Sequence, residues 1–198
     1  MKRYKKKFSL AVISLALPIL FIVIFALFKW GYGRVGVASA KGTSLQTLTR
    51  LAEQGDAKAE FQLGNSYKYG KGVPANEAEA ARWFRKAADQ GDALAQCSLG
   101  VAYILGKGVE ASDEAAVMWF RKSAGQGDIL AQNNLGNAYY FGRGVKKDVP
   151  MAYGWFLLAA GKGNTQAAEM VTLIEDSLSP AEKQAARSWA KQWTPYVR

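Results

Sequence analysis

The tripeptide Gln-Gly-Asp occurs three times at an interval of 36 residues, as Gln54-Gly55-Asp56, Gln90-Gly91-Asp92 and Gln126-Gly127-Asp128. A degenerate fourth copy stands at Lys162-Gly163-Asn164. A fixed period of this size marks a solenoid, in which each unit is one supersecondary element that buries its apolar face only by stacking on its neighbours. That constraint sets the architecture before any local propensity is considered. It also argues against an enclosed catalytic pocket.

Within the period the pattern is helical, so the predicted fold class is all-α. Ala59, Leu63 and Tyr67 recur as Ala95, Leu99 and Tyr103 and as Ala131, Leu135 and Tyr139. The i, i+4, i+8 spacing puts each set on one stripe of a helix. Gly64, Gly100 and Gly136 follow each Leu. A glycine inside a helix costs about 1 kcal/mol relative to Ala, so its recurrence predicts that another backbone approaches closely there. This first helix is expected to stop at Gly70-Lys71-Gly72-Val73, Gly106-Lys107-Gly108-Val109 and Gly142-Arg143-Gly144-Val145, whose glycines suit a left-handed cap and turn. A second helix is predicted over Ala80, Trp83, Phe84 and Ala88 and their copies Ala116, Trp119, Phe120, Ala124 and Ala152, Trp155, Phe156, Ala160. Asn76, Ser112 and Asp148 are placed to cap it, Asn76 with Glu79 as a capping box. The tryptophans, one per unit, read as inter-helix core rather than as a ligand box.

The ends depart from the pattern, as capping units do. Ser44 to Gln54 aligns with a second helix only, with Thr47 and Leu48 in place of the Trp-Phe pair. Thr165 to Asp176 reads as a lone first helix. Ser179-Pro180-Ala181-Glu182 is a capping box that opens a last helix.

Composition narrows the chemistry. The 198 residues include no histidine and one cysteine, Cys97, which removes Ser-His-Asp and Cys-His catalysis, His-based zinc sites and any intramolecular disulfide. No cofactor or metal is predicted. The net charge of +10 is uneven: eight basic residues precede residue 42 and no acid precedes Glu53, leaving 18 basic against 16 acidic side chains from there on. A phosphate-backbone binder needs a basic stripe on the domain itself, so no nucleic-acid partner is expected.

Phe8 to Phe28 contains no charged residue and is long enough to span about 30 Å of hydrocarbon as a helix. Lys2, Arg3, Lys5, Lys6 and Lys7 precede it; Lys29, Arg34 and Lys41 follow. This bias predicts an uncleaved single-pass anchor in the inner membrane with the N-terminus in the cytoplasm and the repeats in the periplasm. The alternative is a cleaved signal peptide, with Ala38-Ser39-Ala40 as the small-x-small site and a soluble periplasmic or secreted product. The predicted organisation is a basic flank (1–7), a transmembrane helix (8–28), a flexible tether (29–42) and a solenoid (43–198). The solenoid divides into a cap helix (43–54), units at 55–90, 91–126 and 127–162, and a C-terminal cap (163–198).

The residues quoted above resemble the Sel-1-like repeat family, which is tetratricopeptide-like. Its pattern of Ala-x-x-x-Leu-Gly-x-x-Tyr, Gly-x-Gly-Val, Ala-x-x-Trp and Ala-Ala-x-x-Gly is met nearly in full by residues 55–90 and 91–126. The third unit departs at Leu157 and Leu158, where the others carry Arg-Lys. The resemblance implies a right-handed superhelix of antiparallel helix pairs, with first helices lining a concave face. It also implies protein binding or assembly rather than catalysis.

Carrying the tetratricopeptide groove onto this chain gives a protein-binding set. It comprises Lys58, Phe61, Asn65 and Lys68, with Tyr69, in the first unit. The second contributes Cys97, Val101 and Ile104, with Leu94 and Leu105, and the third contributes Asn133, Asn137, Tyr140 and Phe141, with Leu130. The third unit draws notice because amides and aromatics on a groove suit an extended peptide backbone. Two function classes follow. One is a membrane-tethered adaptor or scaffold, in a sharper form the immunity partner of a delivered toxin, holding a protein or peptide. The other is an enzyme or enzyme accessory acting on cell-wall or envelope glycans, since a paired-carboxylate glycosidase needs no histidine. No unique acidic pair stands apart from the repeats to favour it.

Overall fold

The computed structural model describes residues 44–193. The expected span at 8–28 and tether at 29–42 lie outside the described residues. Among the described residues there are nine helices and no strand: α1 (Leu45–Glu53), α2 (Ala57–Tyr69), α3 (Glu77–Asp89), α4 (Ala93–Leu105), α5 (Asp113–Gly125), α6 (Ile129–Phe141), α7 (Val149–Gly161), α8 (Thr165–Glu175) and α9 (Pro180–Gln192). None of them is long and apolar enough to cross a membrane. From α1 to α8 each helix packs on its neighbours in sequence, and α9 folds back onto α7. The pairs α2–α3, α4–α5 and α6–α7 are the three units.

Capping fixes where each helix begins. Asp56, Asp92 and Asp128 accept from the backbone N–H of Ala59, Ala95 and Ala131 at 2.8, 2.8 and 2.7 Å, as expected of N-cap aspartates. Asn76, Ser112 and Asp148 do the same for the second helices. The capping box at Ser179 and Glu182 forms in both directions. The one expected at Asn76 does not: the Glu79 carboxylate turns instead to Arg82, three residues on, at 2.6 Å. First helices end on Gly70, Gly106 and Gly142 in the left-handed region, with φ of 66°, 63° and 71°.

The recurrent mid-helix glycine is explained by a ring, not by the close backbone anticipated from the sequence. A Cβ on Gly64, Gly100 or Gly136 would stand 2.6, 2.6 and 2.5 Å from the rings of Phe84, Phe120 and Phe156. The phenylalanine ring of each second helix therefore lies against the glycine of its own first helix. The neighbouring tryptophan faces the other way. Trp119 is buried with Ala80, Phe84, Ala87 and Ala88 of the preceding unit and Ala95 and Leu99 of its own, so it seals a seam. Trp83 fills the same place against Leu48 and Ala52 of the cap helix.

Polar contacts run along the stack in step with the apolar ones. Gln126 Nε2 donates to the Gly91 carbonyl and to Gln96 Oε1, both at 2.9 Å. Gln90 donates in the equivalent way to the Glu60 carboxylate at 2.6 Å. The glutamine of the Gln-Gly-Asp tripeptide is thus a hook from the end of the second helix back to the first helix of its own unit, a role its sequence position did not reveal. The second glycine of the loop also has a contact to make. A Cβ on Gly108 would meet the Glu77 carbonyl at 2.0 Å, and one on Gly144 the Asp113 carbonyl at 2.2 Å. The loop of one unit is pressed onto the start of the preceding second helix. Lys107–Glu77 and Arg143–Asp113, both at 3.0 Å, close the same junctions.

Two stability outcomes follow from these contacts. Trp119→Ala should cost about 3–5 kcal/mol, whereas Lys107→Ala removes an exposed ion pair and should cost no more than about 1 kcal/mol. Chemical denaturation of Ser44–Arg198, a compact unit of its own, compares them; equal effects would contradict the seam. Glu60 is buried, and desolvation holds its carboxyl above the usual carboxylate range despite the bond from Gln90. An acid whose folded pKa is raised contributes stability that is complete at low pH and lost as pH rises through the folded value. Glu60→Gln, which installs the residue found at Gln96 and Gln132, should therefore raise the melting temperature at neutral pH, with the gain closing as pH falls through the carboxylate range. A gain that persists unchanged at acid pH would contradict this origin.

Candidate functional site

The first helices bury one stripe and present the rest. In the first unit Lys58, Lys68 and Tyr69 are exposed and Phe61 and Asn65 half-buried, with the Phe61 ring 5.8 Å from Phe84. In the second, Leu94 and Leu105 are exposed, and Val101 and Ile104 are half-buried against the core. In the third, Leu130 and Phe141 are exposed, and Asn137 and Tyr140 half-buried. Tyr140 and Phe141 meet edge to face at 4.9 Å. Cys97 and Asn133 are the exceptions, at 6% and 7% exposure. They share one repeat position, lie beneath the face and leave the set that a partner could touch.

The environment of Cys97 agrees with that placement. Burial drives its thiol pKa up, and the Asp128 carboxylate at the start of α6 raises it further. Asp128 is itself committed to capping α6. The corresponding Asn133 has its Oδ1 buried without a partner among the described residues.

Three of the exposed apolar residues form a register. Tyr69, Leu105 and Phe141 are each the last residue of a first helix, 57%, 58% and 62% exposed. Each stands immediately before a left-handed glycine, so the same cap that ends the helix projects the side chain. Leu94 and Leu130 add a second exposed pair at the other end of the first helices.

Between α2 and α4 the face opens into a cavity of about 310 Å³ floored by α3. It gathers Lys68, Tyr69, Val101 and Leu105 from the expected face. To these the structure adds Ala80, Ala81 and Phe84 on the floor and Ser98, Ala102, Glu77 and Lys107 around it. The floor explains why the hole lies at this junction. Ala81 is followed one unit later by Val117 and then by Tyr153, all buried. Val117 packs with Ile104, which stands where the first unit has Lys68. The signal in the sequence is a small residue beside Ala80, which recurs in every unit, on a second helix and not on the first helices that line the face.

A larger, more open hollow of about 730 Å³ lies between the third loop and the C-terminal cap. Its acids, Asp148 and Glu182, are both engaged as helix caps. Asp56, Asp92 and Asp128 are caps as well. Among the described residues no group of three His, Cys, Asp or Glu is placed to hold a metal ion. Arg85, on a second helix, donates to the Tyr103 hydroxyl of the next unit, as Arg121 does to Tyr139 at 2.9 Å.

The family model described as Sel1 repeat matches residues 57–92, 93–128 and 129–164, more than half of the chain. These units begin two residues later than a division drawn at Gly55, Gly91 and Gly127. Among solved structures, the chain is similar to c5321, a protective antigen present in uropathogenic Escherichia coli strains displaying an SLR fold. The two are 40% identical with a TM-score of 0.64, over 65% of this chain and 28% of that one. The chain thus spans little more than a quarter of that protein's length. It is also similar to a Sel1 repeat protein from Oxalobacter formigenes, at 38% identity and a TM-score of 0.60, over 65% of this chain and 96% of that one. No curated protein matches the chain.

The buried thiol gives a direct test of the face. Cys97 in the folded protein should resist a thiol-reactive disulfide reagent even at mildly alkaline pH, and react fully once denatured, because the thiolate is the nucleophile and burial suppresses it. Rapid labelling of the native protein would return Cys97 to the open face.

Proposed function

The chain belongs to the Sel1 repeat family, and on that premise we propose that it is a membrane-tethered interaction module whose first-helix face holds a partner polypeptide. Proteins built of these repeats are generally interaction scaffolds. The observation that carries the reading is the register of Tyr69, Leu105 and Phe141, more than half exposed at the repeat interval. Apolar side chains held open at a fixed spacing on a rigid support lose little freedom on binding, which favours affinity. The core does not need them: it is filled by Ala, Leu, Phe and Trp of other positions.

The anchor is the uncharged run at 8–28, joined to the repeats by the tether at 29–42, and the preceding lysines and arginine orient it with the N-terminus inside. In a Gram-negative cell this places the repeats in the periplasm. Within that setting the partner decides the role. A secreted toxin would make the chain its immunity protein, and an envelope component would make it an assembly scaffold.

Photo-crosslinking in intact membranes tests the face. A crosslinking residue at Leu105 should capture a discrete partner, and one at Asp89, exposed at the end of α3, should not. Capture at Asp89 alone would move the interface off the first helices. Topology is read separately: a periplasm-dependent reporter fused after Arg198 should be active, with Met1 or Lys2 as the mature N-terminus. A silent reporter would reverse the orientation, and a mature N-terminus at Lys41 would show cleavage.

A further inference from the structure

The cavity between α2 and α4 has a chemistry of its own. α2 exposes Lys58 and Lys68, while its one acid, Glu60, is buried against Gln90. α4 carries no charged residue. At the mouth, Lys68 and Lys71 stand 4.9 and 5.4 Å from the centre of the Tyr69 ring. The sole acid in the lining, Glu77, is already paired with Lys107 at 3.0 Å. Positive charge is left over at the rim of an apolar hole. Its volume of about 310 Å³ lies at the lower end of the range for ligand pockets, about 300–1,000 Å³.

Two substitutions between the first and second units create both properties. Ala81 in place of Val117 leaves the floor open, and Lys68 in place of Ile104 puts a cation on the edge. We propose that this cavity is the anchor point of the interaction face and takes one large apolar side chain from a partner segment whose flanking residues are acidic. The proposal rests on the interaction reading above and adds the chemistry of the bound segment. The apolar side chain displaces water from the floor formed by Ala81 and Phe84. The flanking carboxylates meet Lys68 and Lys71, where they chiefly speed association and exclude basic segments. Binding should weaken with salt, since the charges lie at an exposed rim.

The test uses the full chain in detergent micelles and a short rhodamine-labelled peptide of Asp and Ser around one central Phe, read by fluorescence anisotropy. Two comparison peptides carry Ala in place of the Phe, or Lys in place of the Asp. The acidic Phe peptide should bind at least about tenfold more tightly than either, a difference well within the reach of one buried side chain. Ala81→Val, which copies the floor of the next unit, should weaken it by a similar factor. Lys68→Glu should reverse the order of the acidic and basic peptides. Equal binding of the Phe and Ala peptides, equal binding of acidic and basic peptides, or no binding by about 1 mM overturns the proposal. If Ala81→Val loses helical signal, the surface variant Lys68→Glu decides alone. A partner crosslinked at Leu105 that is retained undiminished by both variants would sink the anchor while leaving the interaction face intact. Absence of any crosslink at Leu105 in the unmodified chain would sink the face itself.

Discussion

An aromatic ring laid against a glycine closes every helix pair in this solenoid. The rings of Phe84, Phe120 and Phe156 occupy the space that a Cβ on Gly64, Gly100 and Gly136 would need. Each glycine weakens its helix by about 1 kcal/mol relative to Ala, and the close contact it permits offsets that loss through dispersion and burial. Because the contact recurs three times in the same geometry, the three pairs have nearly the same shape and can stack on a constant period. The C-terminal cap uses a variant: a Cβ on Gly154 would stand 2.8 Å from the Trp189 ring of α9. There a tryptophan from a single terminal helix replaces the next repeat, and it lies 5.0 Å from Trp155 in an edge-to-face arrangement.

Stacking depends on a second set of contacts, and the ends show what happens without it. Gly108 and Gly144 are pressed onto the start of a preceding second helix. Gly72 faces the start of the cap helix α1 instead, where a Cβ would meet only the Leu45 side chain, at an ordinary 3.5 Å. The glutamine hook also fades at the far end. Lys162 replaces the glutamine and reaches the Gly127 carbonyl at 2.9 Å, as Gln126 reaches Gly91. It brings no second bond, and Gln132 Oε1 is left buried without a partner among the described residues. An orphaned acceptor of this kind costs about 1–3 kcal/mol. The two helices of the last unit are thus tied together less completely than those of the middle one.

Much of this was legible because the period repeats it. Three copies of Asp before Ala-x-x-x-Leu, and of Gly-x-Gly-Val, identify caps and stops from local chemistry alone. What resisted reading depends on which partner a side chain finds in the fold. The hook made by Gln90 and Gln126 spans 30 residues or more, and nothing in the tripeptide says which way the amide points. Glu79 fits a capping-box pattern, yet Arg82 on the next turn holds it more strongly. Cys97 and Asn133 lie on the side of the first helix that the next unit covers, a distinction of a fraction of a helical turn. The cavity is hidden for a different reason: the face is lined by first helices, whereas the cause of the opening, the series Ala81, Val117, Tyr153, lies on the second.

That series separates two kinds of position on one scaffold. Residues such as Leu99, Phe120 and Trp119 set the spacing of the units and cannot vary without moving the neighbours. Ala81 and Lys68 face the gap between first helices, where a change of volume or charge alters the surface and leaves the spacing alone. A solenoid can therefore differ in binding character from one junction to the next while its backbone stays regular. Here the first junction is open and cationic, the second is filled by Val117 and Ile104, and the exposed ladder of Tyr69, Leu105 and Phe141 runs past both. A segment laid along that ladder would find a single deep anchor at its first step and shallow apolar contacts beyond it. Such an arrangement fixes register at one end, which a uniform groove would not do.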